Sequence, residues 1–278
     1  MFVIVNVDDL GLHPAVRRAV ADLSERGIVT SSTLMANGPD LEAASQLGGV
    51  GLGVHLNVLR GKPVSEPGRV STLISDQKLF LGDYGRLLAR YLARKVDLRE
   101  VEAEWDAQIS RIQDLGVRPT HLDSEKHIHA WPGMMTVATR LARRHGIGWV
   151  RRPRERGWAW RMDKGGLRIK FLKVCSLRQR CPEQVRWPDH VWGIADQGDQ
   201  LLPEAFKAYM AGSSDRVVEI VCHPGMPREN DPPLPADFGA LRVGEQWRVE
   251  YDRLADPRWS DVLQSMQAQL VHYGQLQT

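Results

Sequence analysis

The sequence predicts an α/β fold built from parallel βαβ units, and three observations carry that prediction. Short β-branched apolar runs alternate with helical patterns. Ionisable residues recur where those runs end: Asp8/Asp9, His55, Asp123 onward and His223. No internal repeat, heptad or low-complexity tract points to another architecture.

Phe2 to Val7 reads as a buried strand delivering Asp8 and Asp9 at its C-terminal end. After the turn Leu10-Gly11-Leu12-His13, Pro14 occupies a helical first turn, Val16, Val20 and Leu23 form an apolar stripe, and Gly27 ends the helix. Ile28 to Met35 is strand-like, Asp40 to Leu47 a short helix, and Val50 to Val58 a strand carrying His55. Residues 61–82 are rich in Gly, Pro and Ser and read as a long excursion. Helices are expected over Tyr84–Arg94 and Asp97–Leu115, then a strand over Pro119–Ser124, a helix over Gly133–His145 and a strand over Gly148–Arg152. Val217 to Cys222 is a further buried strand, running into His223-Pro224-Gly225, and Trp259 to Tyr273 a closing helix.

The 278 residues suffice for a substantial core, and the ordered motifs favour one domain with insertions near 61–82 and 153–190 and a loop-rich 224–258. Three cysteines exclude a disulfide framework and fit a reducing compartment. With no signal-peptide pattern and no apolar stretch near the ~20 residues of a membrane span, the expected location is cytoplasmic. A homo-oligomer is the expected assembly.

The net charge of +3 conceals an asymmetry: positions 151–190 sum to +8 and the rest to −5. Trp149, Trp158, Trp160, Trp187 and Trp192 lie in or beside that basic stretch. Tryptophan faces stack on sugar rings, with Arg152 or Arg154 beside them, so Trp158 and Arg152 are candidate substrate contacts. For residues 165–180 the alternatives are a solvated helical face and a peripheral contact with anionic lipid. Nucleic acid is not an expected partner, because no binding motif accompanies the charge.

Adjacent carboxylates at Asp8 and Asp9 divide naturally into one cation ligand and one base, against the plainer reading of a helix cap. In His121-Leu122-Asp123-Ser124-Glu125-Lys126-His127-Ile128-His129, an extended backbone would put five ionisable groups on one face. Burying them demands partners or a metal, so the cluster points to a metal or proton-transfer site. The extended geometry is expected to fail after Ser124. The phosphate-binding, dinucleotide and serine-nucleophile motifs are all absent.

At these residues the sequence resembles the YdjC-like carbohydrate deacetylase family. The matching blocks are Asn6-Val7-Asp8-Asp9-Leu10-Gly11, Ile28 to Thr33, Gly53-Val54-His55-Leu56, Pro119 to Ser124 with Lys126 to His129, and Glu219 to Gly225. The resemblance implies a single (β/α) barrel-like domain related to the polysaccharide deacetylases. It also implies removal of an N-acetyl group from a sugar, free or lipid-linked, with a divalent cation. Carried over, Asp9 and His55 are metal ligands and Asp8 the general base. The third ligand, commonly a histidine, falls at Glu125, which suits Mg²⁺ better than Zn²⁺. His127 or His129 is the alternative ligand, and either competes with His223 for the role of acid; His121 and Asp123 stand behind the site. Two other functions share these residue types: a metal-assisted phosphoesterase, and a sugar-binding protein with a degenerate metal site.

Overall fold

The structure is a computed structural model and describes residues 1–156, 162–177, 179–238 and 243–276. In chain order its elements are β1 (Phe2–Leu10), α1 (Pro14–Glu25), β2 (Ser31–Leu34), α2 (Leu41–Ala44), β3 (Gly51–Leu56), α3 (Tyr84–Leu92), α4 (Leu98–Asp114), β4 (His121–Ser124), α5 (Met134–Arg144), β5 (Trp149–Val150), α6 (Lys164–Ser176), β6 (His190–Trp192), α7 (Pro203–Met210), β7 (Val217–Cys222), α8 (Val243–Leu254), α9 (Arg258–Ser265) and β8 (Gln269–Leu270).

The strands form one parallel sheet in the order β5-β4-β3-β2-β1-β7-β6, curled into an incomplete barrel with helices outside. Among the described residues, its two ends approach through a bridge from Trp149 to Arg186, a hydrogen bond from Val191 N to the Arg154 carbonyl, and bonds from Ile194 N and Ala195 N to Glu155. The lower half of β1 pairs β8 at Phe2 and Val3, on the edge whose upper half pairs β2 from Asn6. A late segment of chain therefore completes the middle strand.

Helix ends follow their local chemistry. Pro14 opens α1 under a His13 cap, whose ring accepts from Ala15 N, and Gly27 leaves it at φ +77. Asp83, Asp97 and Asp163 cap α3, α4 and α6. The outer layer is apolar: Val3, Val5 and Val7 of β1 pack with Val16, Val20 and Leu23 of α1. The barrel floor is a separate cluster of Ile4, Trp149, Val271 and Tyr273.

Several elements differ from expectation. The closing helix stops at Ser265, Gln267 adopts a left-handed φ of 51, and the chain returns as β8. The stretch read as loop-rich contains α8, and residues 61–82 bury Val70, Leu73 and Phe80. Strand β6 is three residues long, too short for a sequence pattern.

Candidate active site

Parallel strands bring their C-terminal ends to one rim, and the ionisable residues gather there. Alternation along β1 sends Asn6 and Asp8 into the barrel while Val5 and Val7 face the helices. Strict alternation would send Asp9 away from Asp8. Instead the register between β1 and β2 shifts between Val7 and Leu10, and Asp9 sits at φ 64. This left-handed turn, which aspartate tolerates better than most residues, aims both carboxylates into one cleft. Along β4, His121 and Asp123 point inward; Lys126 (φ 52) and His127 (φ 55) then end the extended run. A Cβ on Gly53 would stand 2.5 Å from the His121 ring, so glycine there gives the imidazole its space.

Beneath the rim lies a buried ionic network centred on Arg151. Its guanidinium donates to both oxygens of Asp8, each at 2.7 Å, and to Glu219 at 2.5 and 2.9 Å, and lies 2.8 Å from Asp123 Oδ2. Tyr273 O–H donates to the second Glu219 oxygen at 2.7 Å. Register explains the convergence: His121 pairs Trp149, which puts Arg151 level with Asp123. Burial alone would raise the Asp8 carboxyl, but Arg151 outweighs it and holds Asp8 well below the usual carboxylate range.

Asp9, His55 and Glu125 form the rim's metal-binding candidate, each offering one ligand atom within 4.8 Å of the others. His55 Nδ1 donates to Asp123 Oδ1 at 2.7 Å, which leaves Nε2 facing Asp9 Oδ1 at 3.2 Å and Glu125 Oε2 at 3.7 Å. That is how a carboxylate orients a metal-binding histidine. Glu125 gives its other oxygen to Arg60 Nε at 3.0 Å. Asp9 Oδ1 is buried and has no hydrogen-bond partner among the described residues. Two carboxylates converging on the one imidazole nitrogen that Asp123 does not hold make a donor set that fits a divalent cation.

Across the cleft, His223 Nε2 lies 3.9 Å from Asp8 Oδ2, and its backbone N–H donates to Glu250 Oε2 at 2.5 Å. Burial lowers the His223 pKa, but Glu250, with Asp8 and Asp9, more than offsets this and leaves it raised. His127 and His129 go the other way. Burial pushes His127 well down and takes His129 down to about 3. Both ring nitrogens of His129 are engaged, by Ser124 Oγ at 2.5 Å and the Arg151 carbonyl at 2.8 Å, so it is neither a free ligand nor an acid. His127 lines the cleft but lies outside the metal trio, and His121 is buried beneath it, bonded to Asn6.

The expectations for the basic segment need correction. Arg152 does not line the cleft; its guanidinium sits 4.8 Å from the Trp187 ring centre. The arginine of this segment that bonds Asp8 is Arg151, which sequence reasoning missed. Trp149 is buried in the barrel floor against Tyr273, and Trp158 lies outside the described residues. The aromatic wall of the cleft, about 610 Å³ in volume, comes from Tyr84, Phe171 and Trp247.

A parallel α/β barrel with a carboxylate–histidine cluster on its rim defines a barrel protein with a candidate metal centre. The chain belongs to the YdjC-like family, whose model, described as "YdjC-like protein", matches residues 2–265. It is 35% identical over 237 residues to a protein named carbohydrate deacetylase from Halalkalibacterium halodurans, covering 81% of this chain and 85% of that one. It is 29% identical over 285 residues to the carbohydrate deacetylase of Homo sapiens, covering 93% and 84%. Among solved structures, it is similar in fold to an Enterococcus faecalis V583 protein provisionally described as a cellobiose-phosphate cleavage protein. That match has a TM-score of 0.76 and 23% identity, and covers 99% of this chain and 98% of the other.

Proposed function

We propose that the protein is a metal-dependent hydrolase that removes the N-acetyl group from an amino sugar or its oligosaccharide. The observation that carries this reading is the convergence of Asp9 Oδ1, His55 and Glu125 on one point of the rim, beside Asp8 and opposite His223. The names of the curated relatives support the substrate class. Asp9, His55 and Glu125 would hold the cation, with two carboxylates favouring Mg²⁺ over Zn²⁺. Bound there, a divalent cation supplies Lewis acidity toward water and the acetyl carbonyl.

The residues of the chain do the rest. Asp8, fixed by Arg151 and kept ionised, accepts a proton from the attacking water as oxygen adds to the acetyl carbon. His223, kept protonated by Glu250, gives its proton to the sugar nitrogen as the C–N bond breaks, leaving acetate and a free amine. A single water bridging the 3.9 Å between Asp8 and His223 would carry the proton on Asp8 back to the histidine once the products leave. Tyr84, Phe171 and Trp247 present the apolar faces on which sugar rings stack.

The test is metal stoichiometry of the purified protein beside acetate release from N-acetylglucosamine oligomers. One equivalent of metal with turnover is the expected result. Two metals with phosphatase activity would replace the proposal with a phosphoesterase, and sugar binding without turnover with a binding protein.

A further inference from the structure

The two helices that border the cleft mouth share an unusual surface. Tyr84 and Leu88 of α3, and Lys164, Arg168 and Phe171 of α6, line the cleft. One turn beyond Leu88, Leu92 is 70% exposed; on α6 Leu167 is 53% and Val174 66% exposed, and Leu177, which caps its C-terminal end, is 71% exposed. At 100° per residue, Leu167, Lys170, Val174 and Leu177 fall within a helical arc of ~80°. Met162, just before α6, is 74% exposed and lies against Lys170 Nζ at 3.3 Å. Neither helix contains an acidic residue. Between them they carry Arg86, Arg90, Lys164, Arg168, Lys170 and Lys173.

Exposed aliphatic side chains set among cations on a helix fit a surface that is apolar below and anionic above. A second copy of the chain fits poorly, because pairing two α6 helices would set like charges against each other. We infer that the α3–α6 face docks the protein peripherally on an anionic lipid bilayer, with the cleft opening beside the membrane surface. Leu167, Val174 and Leu177 enter the interfacial region, while Arg86 and Lys170 meet lipid phosphates. The inference goes beyond the proposed deacetylation and is tested without it.

The test is sedimentation with vesicles of phosphatidylcholine alone or containing about one third phosphatidylglycerol, at low and high salt. The expected result is pelleting with the anionic vesicles only, weakened by salt. The variant Leu167→Ser/Val174→Ser/Leu177→Ser and the variant Arg86→Glu/Lys170→Glu should each weaken vesicle binding by about tenfold or more. Both should keep the wild-type thermal transition and unchanged turnover of a water-soluble substrate. Wild-type protein left in the supernatant at low salt would overturn the inference, as would pelleting indifferent to both variants. A dimer in light scattering that dissociates in the serine variant would instead make this face a self-association interface.

Discussion

The inner and outer faces of the sheet make opposite uses of the same strands. Outward, Val3, Val5 and Val7 join the apolar layer under the helices; inward, Asn6 and Asp8 join a network of buried charge. The outer face supplies stability through area removed from water. The inner face holds Arg151 with three carboxylates, an arrangement whose desolvation cost makes it weak as a source of stability. The comparison teaches that the barrel interior is kept polar for the sake of the site, while the fold is held from outside.

Substitutions can break that division. The largest effect is expected on the inner rim: Asp8→Asn should abolish acetate release with metal content retained, whereas Asp9→Asn should lose both. Each should cost ~1,000-fold or more in kcat/KM; Asp9→Asn should change thermal stability little, whereas Asp8→Asn, which breaks a buried double hydrogen bond to Arg151, should lower it. Loss of metal in Asp8→Asn would reassign Asp8 as a ligand. Next, Arg151→Met should destabilise by ~3–5 kcal/mol in urea unfolding, because it strands three buried carboxylates. A near-neutral result would mean those carboxylates take up protons at little cost. On the outer face, Leu23→Ala should cost ~2–5 kcal/mol yet leave activity per folded molecule unchanged. A changed kcat there would show that the two faces are coupled.

The smallest effect is a shift in pH dependence. His223 must be protonated to act as the acid, and Glu250 raises its pKa. Glu250→Gln should therefore move the alkaline limb of the kcat/KM profile to lower pH, with a several-fold loss at the wild-type optimum. An unmoved limb would take the acid role away from His223.

Much of the inner face was legible because its residues lie at the ends of strands with strong apolar patterns. Asp8 and the His121–Asp123 pair follow from period-2 alternation, whereas Asp9 and His55 are set together only by the family resemblance. Arg151 could not be placed, since assigning it required the register of β4 against β5; Arg152 stands out in the sequence for a different role, as a sugar contact beside the tryptophans. Had His121 been aligned with Trp149, Arg151 would have fallen level with Asp123. The left-handed φ of Asp9, which the sequence pattern does not encode, is what turns its carboxylate toward His55 and Glu125. Glu250 and Trp247, on a helix read as loop, and β8 depend on contacts with distant segments, which no local pattern encodes.

The barrel floor carries a consequence for the order in which the molecule is made. Tyr273 closes the network by donating to Glu219, and β8 completes the edge of β1, the earliest strand of this sheet. Every other strand of the sheet is synthesised before these residues exist. A nascent chain halted at residue 268 should therefore lack both the Tyr273 partner of Glu219 and the strand that completes the edge of β1.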